Sequence, residues 1–386
     1  MAVSSTVFGV VIIVTLIIAG VGGYYLGTSI TVASVSTITI SSGGLGNAAQ
    51  QFSVLAQDAA AAQAECGSQP ACLTVYSTID ASDWETYMAP NFYQQFPWAA
   101  GKVNWFSTSA AQITSMAITE YRTDNVKGDL VVATEGIIYP IILAGAIQNY
   151  TSPMAPLVNE TASSGGADPN GAWYICWVTV PVIQYDPQQL QALNLPPPMT
   201  WSDLGNPVYK SHIGFQSAAA FGTTTGIFYS LYNQMGNASW TALMYSIAAN
   251  EPVITRSASA TTDNVVTGKV AVGIGLYNDY LAAHSTSPDT IAFVAPPPHV
   301  YNPGVSAVRK GASHPAMAKL MSDWLMSNMG ATALAETDRA SLNRQVTQIF
   351  NLLPPGTSSF VSSYTNPTIF NNLGAWSDLF KNIYGA

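Results

Sequence analysis

Thr200 to Gly226 reads TWSDLGNPVYKSHIGFQSAAAFGTTTG, and the rest of the chain makes sense around it. The stretch stands behind the stiff run Pro196-Pro197-Pro198 and opens on a turn-and-cap phrase, Thr200 to Leu204. The apolar run His212-Ile213-Gly214-Phe215 predicts a short strand ending in Gln216-Ser217. Small residues and hydroxyls lead through Gly222-Thr223-Thr224-Thr225-Gly226 into Ile227 to Tyr232, which has helical spacing. A strand, a small-residue turn and a helix start point unpaired backbone N–H groups and hydroxyls at one spot. Such a spot suits an anionic or polar ligand, although Ser and Thr are equally ordinary capping residues.

The chain has 386 residues, enough for two lobes with separate cores. Only 9% of its residues are charged, against roughly 25% in ordinary domains. With 12 Lys+Arg against 21 Asp+Glu and a net charge of −9, a basic nucleic-acid face is not expected. Hydrophobic residues at 48% and aromatics at 11% speak against disorder. The sparse charge suits an extracellular surface, one bathed in acid included; compositional drift is the plainer reading. Of the three cysteines, Cys66 and Cys72 lie in CGSQPAC, a loop that a disulfide could close, and Cys176 sits in an apolar run as a buried free thiol. Sequons at Asn149, Asn159 and Asn237 agree with a glycosylated surface.

The four histidines are scattered, and neither HExxH, GxSxG nor a P-loop pattern occurs, so no enzyme and no cofactor are expected. Val7 to Gly27 is apolar over nearly the length that spans a bilayer, and no Asp, Glu, Lys or Arg precedes Asp58. An uncleaved N-terminal transmembrane anchor is favoured over a removed signal peptide, whose apolar core is shorter and follows a positive segment. Thr28 to Gln51 reads as a Ser/Thr/Gly-rich tether and Ala48 to Ala64 as a short helix.

The opening stretch, as P-x-T-W-x-D-L-x-x-P-x-Y-K-x-x-I-G-F-x-S, resembles the central signature of extracellular solute-binding proteins of ABC importers, in the branch of ferric-iron, phosphonate and thiamine binders. Other segments match in order between Leu73 and Leu334: the strands Leu73 to Thr78, Gly128 to Gly136 and Asp263 to Gly273, then Gly304 to Pro315 and the run Ala316 to Met329. The resemblance implies an α/β, two-lobed type II periplasmic-binding-protein-like fold with a hinge and an interlobe cleft. Together with the N-terminal reading above, it divides the chain into residues 1–28 as anchor or signal, 29–65 as tether, 66–175 and 289–345 as the first lobe, 176–288 as the second, and 346–386 packing on the second. Trp173 to Tyr185 would be one long strand crossing between lobes, and Ser82 would cap the helix that starts at Asp83.

The function implied is capture of a small solute by hinge closure and delivery to an ABC permease and its ATPase at the extracellular face of the membrane. The alternative is a structural cell-surface or filament-forming protein on the same fold. Ligand-facing candidates at strand ends are Ser77, Thr78, Thr134, Glu135, Ser217, Thr223 and Thr224, with Tyr277, Asp279 and Tyr280 after Leu276. Glu135 suits a metal, a cationic ligand or a helix cap. Ferric binders carry a Tyr-Tyr pair where this chain has Asp279-Tyr280, so bound Fe3+ is one candidate ligand, on oxygen donors suited to a hard cation. The iron branch also carries an Arg near Thr179-Val180-Pro181 and a His or Tyr where Ile79-Asp80 stand, and this chain has neither. Tyr277 and Tyr280 read equally as walls for an organic ligand or as core.

Overall fold

A computed structural model describes residues 48–158, 168, 170–220, 222–297, 299–343, 346, 361–362 and 372–385. The apolar run at residues 7–27 and the sequon at Asn159 lie outside them. Among the described residues no helix is long and apolar enough to cross a membrane.

Two sheets organise the chain. The first contains β1 (Leu73–Ser77), β2 (Val103–Ser107), β3 (Leu130–Thr134), β4 (Tyr174–Thr179), β10 (Val300–Val308) and β11 (Val361–Ser362). Its order is β11-β10-β3-β1-β2, with β4 on β10. The second contains β5 (Pro181–Tyr185), β6 (Ile213–Gln216), β7 (Val253–Thr255), β8 (Val272–Leu276) and β9 (Ala292–Val294), in the order β7-β6-β8-β5-β9. Strands such as β3, LVVAT, and β4, YICWVT, are continuous apolar runs because helices or neighbouring strands cover both their faces.

The segment from Trp173 to Tyr185 is two strands. It breaks at Val180, so that β4 completes the first sheet while β5 enters the second, antiparallel to β8 and β9. The return crossing runs from β9 to β10. Trp201, from the opening stretch, pins that crossing by donating its indole N–H to the carbonyl of Pro296 at 3.0 Å. Thr200 and Asp203 form the reciprocal capping box that their spacing suggests. Gly304, where β10 is irregular, has no room for a side chain: a Cβ there would stand 1.7 Å from the Trp177 ring.

The first lobe is lined by Trp84, Phe92, Trp105 and Trp324, and the second by Trp201, Phe215, Phe228 and Trp240. Helix Leu373–Tyr384 packs Trp376 and Phe380 into the second. Residues 48–65, placed by the sequence in the tether, form most of helix Ala48–Cys66 on the first lobe, and its end is closed by the Cys66–Cys72 disulfide. Ser82 is not a cap. The helical turn starts at Ala81 after Asp80 and continues as a wider π-helical turn, Trp84–Met88.

Candidate functional site

Parallel pairing places several chain segments on one edge of each sheet. In the first, β1 and β3 pair with Ser77 opposite Val132, so Thr78 and Thr134-Glu135 leave the sheet at the same carboxyl end. In the second, β6 and β8 pair with Phe215 opposite Ile274, so Gln216-Ser217 and Leu276-Tyr277 leave together. Strand β7 brings Thr255 and Arg256 beside them. Carboxyl edges are where open α/β sheets hold ligands.

The first-lobe candidates divide by burial. Ser77 is fully buried; its hydroxyl donates to the Val132 carbonyl and accepts from the Ile79 N–H, both at 2.9 Å. It shapes the turn leaving β1 and presents no free hydroxyl. Thr78 and Thr134 are half-buried at the edge itself. Glu135, 2% exposed, accepts from the Tyr139 hydroxyl at 2.6 Å, and the Tyr139 ring packs against the cores of both lobes. Glu135 therefore sits where the lobes meet.

In the second lobe the start of helix Thr223–Met235 is already answered from within. Gln216 Oε1 accepts the Thr223 N–H at 3.0 Å, and a Cβ on Gly222 would come within 2.2 Å of that oxygen. Thr225 donates to the Ala218 carbonyl at 2.7 Å. Thr223 and Thr224 are buried, and Thr224 Oγ1 has no hydrogen-bond partner among the described residues. The expected cluster of unpaired donors is thus partly closed by Gln216, a residue that the sequence marks only as a strand end. Ser217 is half-buried beside it, its N–H on the Thr255 carbonyl at 3.0 Å.

Helix Tyr277–Thr286 carries the remaining candidates. Tyr277 is 6% exposed, and its N–H donates to the carbonyl of the crossing residue Val180 at 2.8 Å. Its ring lies 5.7 Å from that of Tyr280, nearly parallel, and 5.0 Å from Phe293. Tyr280 is half-buried between Tyr277, Phe293 and His284. Burial, then proximity to Tyr280, raises the Tyr277 phenol; burial, then Tyr185, raises that of Tyr280. Among the described residues no group of three or more His, Cys, Asp or Glu is placed to hold a metal ion.

Asp279 lies in the first turn of the same helix. Its Oδ1 accepts from Asn278 at 3.0 Å, while its Oδ2 is shut off from solvent with no hydrogen-bond partner among the described residues. Burial raises its carboxyl to about 6; Arg339 opposes the rise, and Asp263 and Asp338 add to it. Arg339 belongs to the first lobe, where its Nη1 pairs with Asp83 Oδ2 at 2.9 Å and donates to the Thr337 carbonyl at 3.0 Å. It follows Asp338, which adopts left-handed backbone geometry at φ 57°. A second-lobe carboxylate therefore lies in the field of a first-lobe guanidinium. Sequence reasoning missed Arg339, Asp83, Arg256 and Gln216. The available signal was scarcity: in a chain with 12 Lys+Arg, a cation in a turn between folded elements stands out.

Known proteins share this architecture. The sugar-phosphate complex of AfuA from Actinobacillus pleuropneumoniae, described as fructose-6-phosphate bound, superposes with a TM-score of 0.69 at 20% identity, covering 82% of this chain and 97% of that one. Iron-bound HitA from Pseudomonas aeruginosa gives 0.65 at 16% identity over 81% and 99%. In sequence, 150 residues are 28% identical to the phosphoglycerate transport regulatory protein PgtC of Salmonella typhimurium, 39% of this chain and 37% of that protein. The chain thus matches little more than a third of that relative's length. The family model for bacterial extracellular solute-binding proteins matches residues 125–359, which take in both crossings and all of the second sheet. The two-sheet fold, its shared carboxyl edges and this match together make the chain a member of the bacterial extracellular solute-binding protein family.

Proposed function

We propose that the protein captures a small anionic organic solute between its lobes and passes it to an ABC permease driven by an ATPase on other chains. The observation that carries this reading is the gathering of Thr78 and Thr134 at the carboxyl edge of the first sheet and of Ser217 and Arg256 at that of the second. Closure on a ligand in contact with both lobes shifts an open–closed population. Arg339 and Arg256 supply cations for an anionic group, the half-buried Thr78, Thr134 and Ser217 supply hydroxyls, and Tyr280 supplies a wall. The AfuA structure is described with fructose-6-phosphate bound and PgtC is named for the regulation of phosphoglycerate transport, which supports the anionic class. An N-terminal membrane anchor at residues 7–27 and an extracellular location belong to the same proposal and rest on the sequence. Ferric iron is the second reading, favoured by the stacked Tyr277–Tyr280 pair beside Asp279 and by the iron-bound relative.

Thermal unfolding of the full-length chain against sugar phosphates, phosphoglycerate, phosphonates, phosphate, thiamine, polyamines and ferric citrate separates these readings. A ligand of the folded state adds about 2.7 kcal/mol at a hundredfold excess over Kd. The expected result is a shift with an anionic organic compound that is lost in both Asp279→Ala and Tyr280→Ala. A shift with ferric citrate accompanied by a tyrosinate–iron absorption band would move the assignment to iron. An organic-ligand shift untouched by both substitutions would place the site elsewhere.

A further inference from the structure

Helix Ala48–Cys66 carries an acid on the face that packs. Gln51, Leu55, Asp58, Ala62 and Cys66 recur at spacings of three and four, which aligns them along one side. That side lies against helix Pro315–Met326. Gln51, Leu55, Ala62 and Cys66 are buried, and Asp58 Oδ2 is shut off from solvent. Opposite stands Asp323, 1% exposed, its carboxyl within hydrogen-bonding reach of that of Asp58, whose Oδ2 finds no donor among the described residues. Asp323 Oδ1 also accepts from the Ser152 hydroxyl and, at 3.3 Å, from that of Tyr150, which is itself 2.7 Å from Ser322 Oγ.

Two carboxyl groups in hydrogen-bond contact away from water cannot both ionise, because the bond between them needs a proton and the charged pair repels. The titratable and charged neighbours do not remove this requirement. Tyr150, Tyr174 and Cys176 face Asp323 from the first lobe and are held neutral by burial. Ser306 bonds Ser322 at 2.6 Å beneath them. Lys319, on the Asp323 helix, is the cation that acts on Asp58, and its ammonium lies 5.8 Å over the Tyr150 ring. Glu65, at the far end of the first helix, is occupied by the N–H groups of Ala316 and Met317 at 3.1 and 2.9 Å.

We propose that Asp58 and Asp323 share one proton that latches helix Ala48–Cys66 to the first lobe, so that docking of this helix depends on pH. The sign follows from linkage. Both carboxyls are raised above the ordinary 3.8, chiefly by burial, so the folded state keeps a proton that the unfolded chain gives up. Docking is therefore firmest at and below pH 3.8 and weakens as pH rises toward the raised value of the pair. Lys319 offsets part of this for Asp58. The helix is also tied at Gln51, whose amide donates to Asn328 Oδ1 at 3.0 Å, and at its end by the Cys66–Cys72 disulfide. Release of the latch would leave the helix held by Gln51 and the disulfide alone. The proton would thus set how firmly helix Ala48–Cys66 is held to the first lobe.

Hydrogen exchange of the full-length chain, corrected for intrinsic rates and followed from about pH 4 to about pH 7, reads this directly. Protection of residues 48–66 should fall with pH, by at most about tenfold per unit for one linked proton, while the β3 and β10 amides hold theirs. In Asp58→Asn an amide can donate to the Asp323 carboxylate in place of the shared proton, and the slope at residues 48–66 should fall to what the burial of Asp323 alone sustains. Equal slopes in the two proteins, or a flat profile in the unsubstituted chain, would overturn the proposal. An independent readout is the infrared band of a protonated carboxylic acid above the ordinary carboxylate range: it should be present in the natural chain and weaker in Asp58→Asn, and its absence from the natural chain would overturn the proposal as well.

Discussion

Replacing Trp376 and Phe380 together by Ala is expected to melt the second lobe well before the first. The two residues face inward from helix Leu373–Tyr384. Trp376 meets Tyr229, Tyr232 and Trp240 at ring distances of 5.3, 4.9 and 5.3 Å. Phe380, with no exposed surface, meets Phe228 at 5.8 Å and Trp240 at 6.0 Å. One turn on, Tyr384 closes the cluster on Phe215 at 5.3 Å and donates its hydroxyl to the Met244 carbonyl at 3.2 Å. Each truncation alone should cost about 3–5 kcal/mol. The pair are neighbours, so the costs will not add fully, and about 5 kcal/mol or more is expected together. That is comparable with the whole stability of an ordinary domain. Calorimetry of the full-length chain should then show two separated transitions, and ligand-induced stabilisation should be lost with the earlier one. A double variant melting as one unit within a few degrees of the parent would mean that the helix only covers the lobe.

Arg309→Met should destabilise the first lobe by about 3–5 kcal/mol, the cost of breaking a buried charge pair. The Arg309 side chain is fully buried at the end of β10; its Nη2 donates to the Ala117 carbonyl at 2.6 Å and its Nη1 lies 3.4 Å from Glu120 Oε2. Glu120 also accepts from the Tyr76 hydroxyl at 2.5 Å and from the N–H groups of Lys127 and Gly128 at 3.2 and 3.4 Å. One guanidinium thus ties helix Ala110–Arg122 to β10 and, through Glu120, to β1. Removing it leaves a mostly buried carboxylate without its counter-charge. Adding Glu120→Gln should recover part of the loss, because the stranded charge goes too. Denaturant unfolding checks both steps; a loss below about 1 kcal/mol for Arg309→Met would mean that water solvates the pair.

Individual strands and helices were legible in periodicity, while the two-lobed arrangement came from the resemblance to solute-binding proteins. Strands ending in small hydroxyl residues at Ser77, Thr134 and Ser217, and the cap phrase Thr200 to Leu204, placed the sheet edges within a residue or two. The break at Val180 was not legible. Trp173 to Tyr185 is apolar throughout, and a run buried on both sides looks the same whether it serves one sheet or two. The Cys66–Cys72 loop closed as its spacing allowed. At the candidate site the sequence named the carboxyl edges of the strands but not the burial of each side chain: Ser77 and Tyr277 belong to the folded frame, while Thr78, Thr134 and Ser217 reach the edge. Gln216 and Arg339 escaped because their roles depend on partners distant in sequence or spread across an irregular turn, Thr223 for one and Asp83 and Asp279 for the other. No local pattern encodes such a meeting.

The most direct test of capture between lobes is a distance across them. Leu143 of the first lobe and Tyr245 of the second are 65% and 57% exposed, so Leu143→Cys and Tyr245→Cys accept spin labels while Cys176 stays buried and Cys66–Cys72 stays paired. Pulsed electron–electron resonance on the full-length chain would then be recorded with and without the compound that raises its melting temperature. Capture by closure predicts a distribution that shifts to shorter distance as ligand is added, and a shift that disappears in Asp279→Ala. A compound that stabilises the chain while the interlobe distance stays unchanged would contradict it.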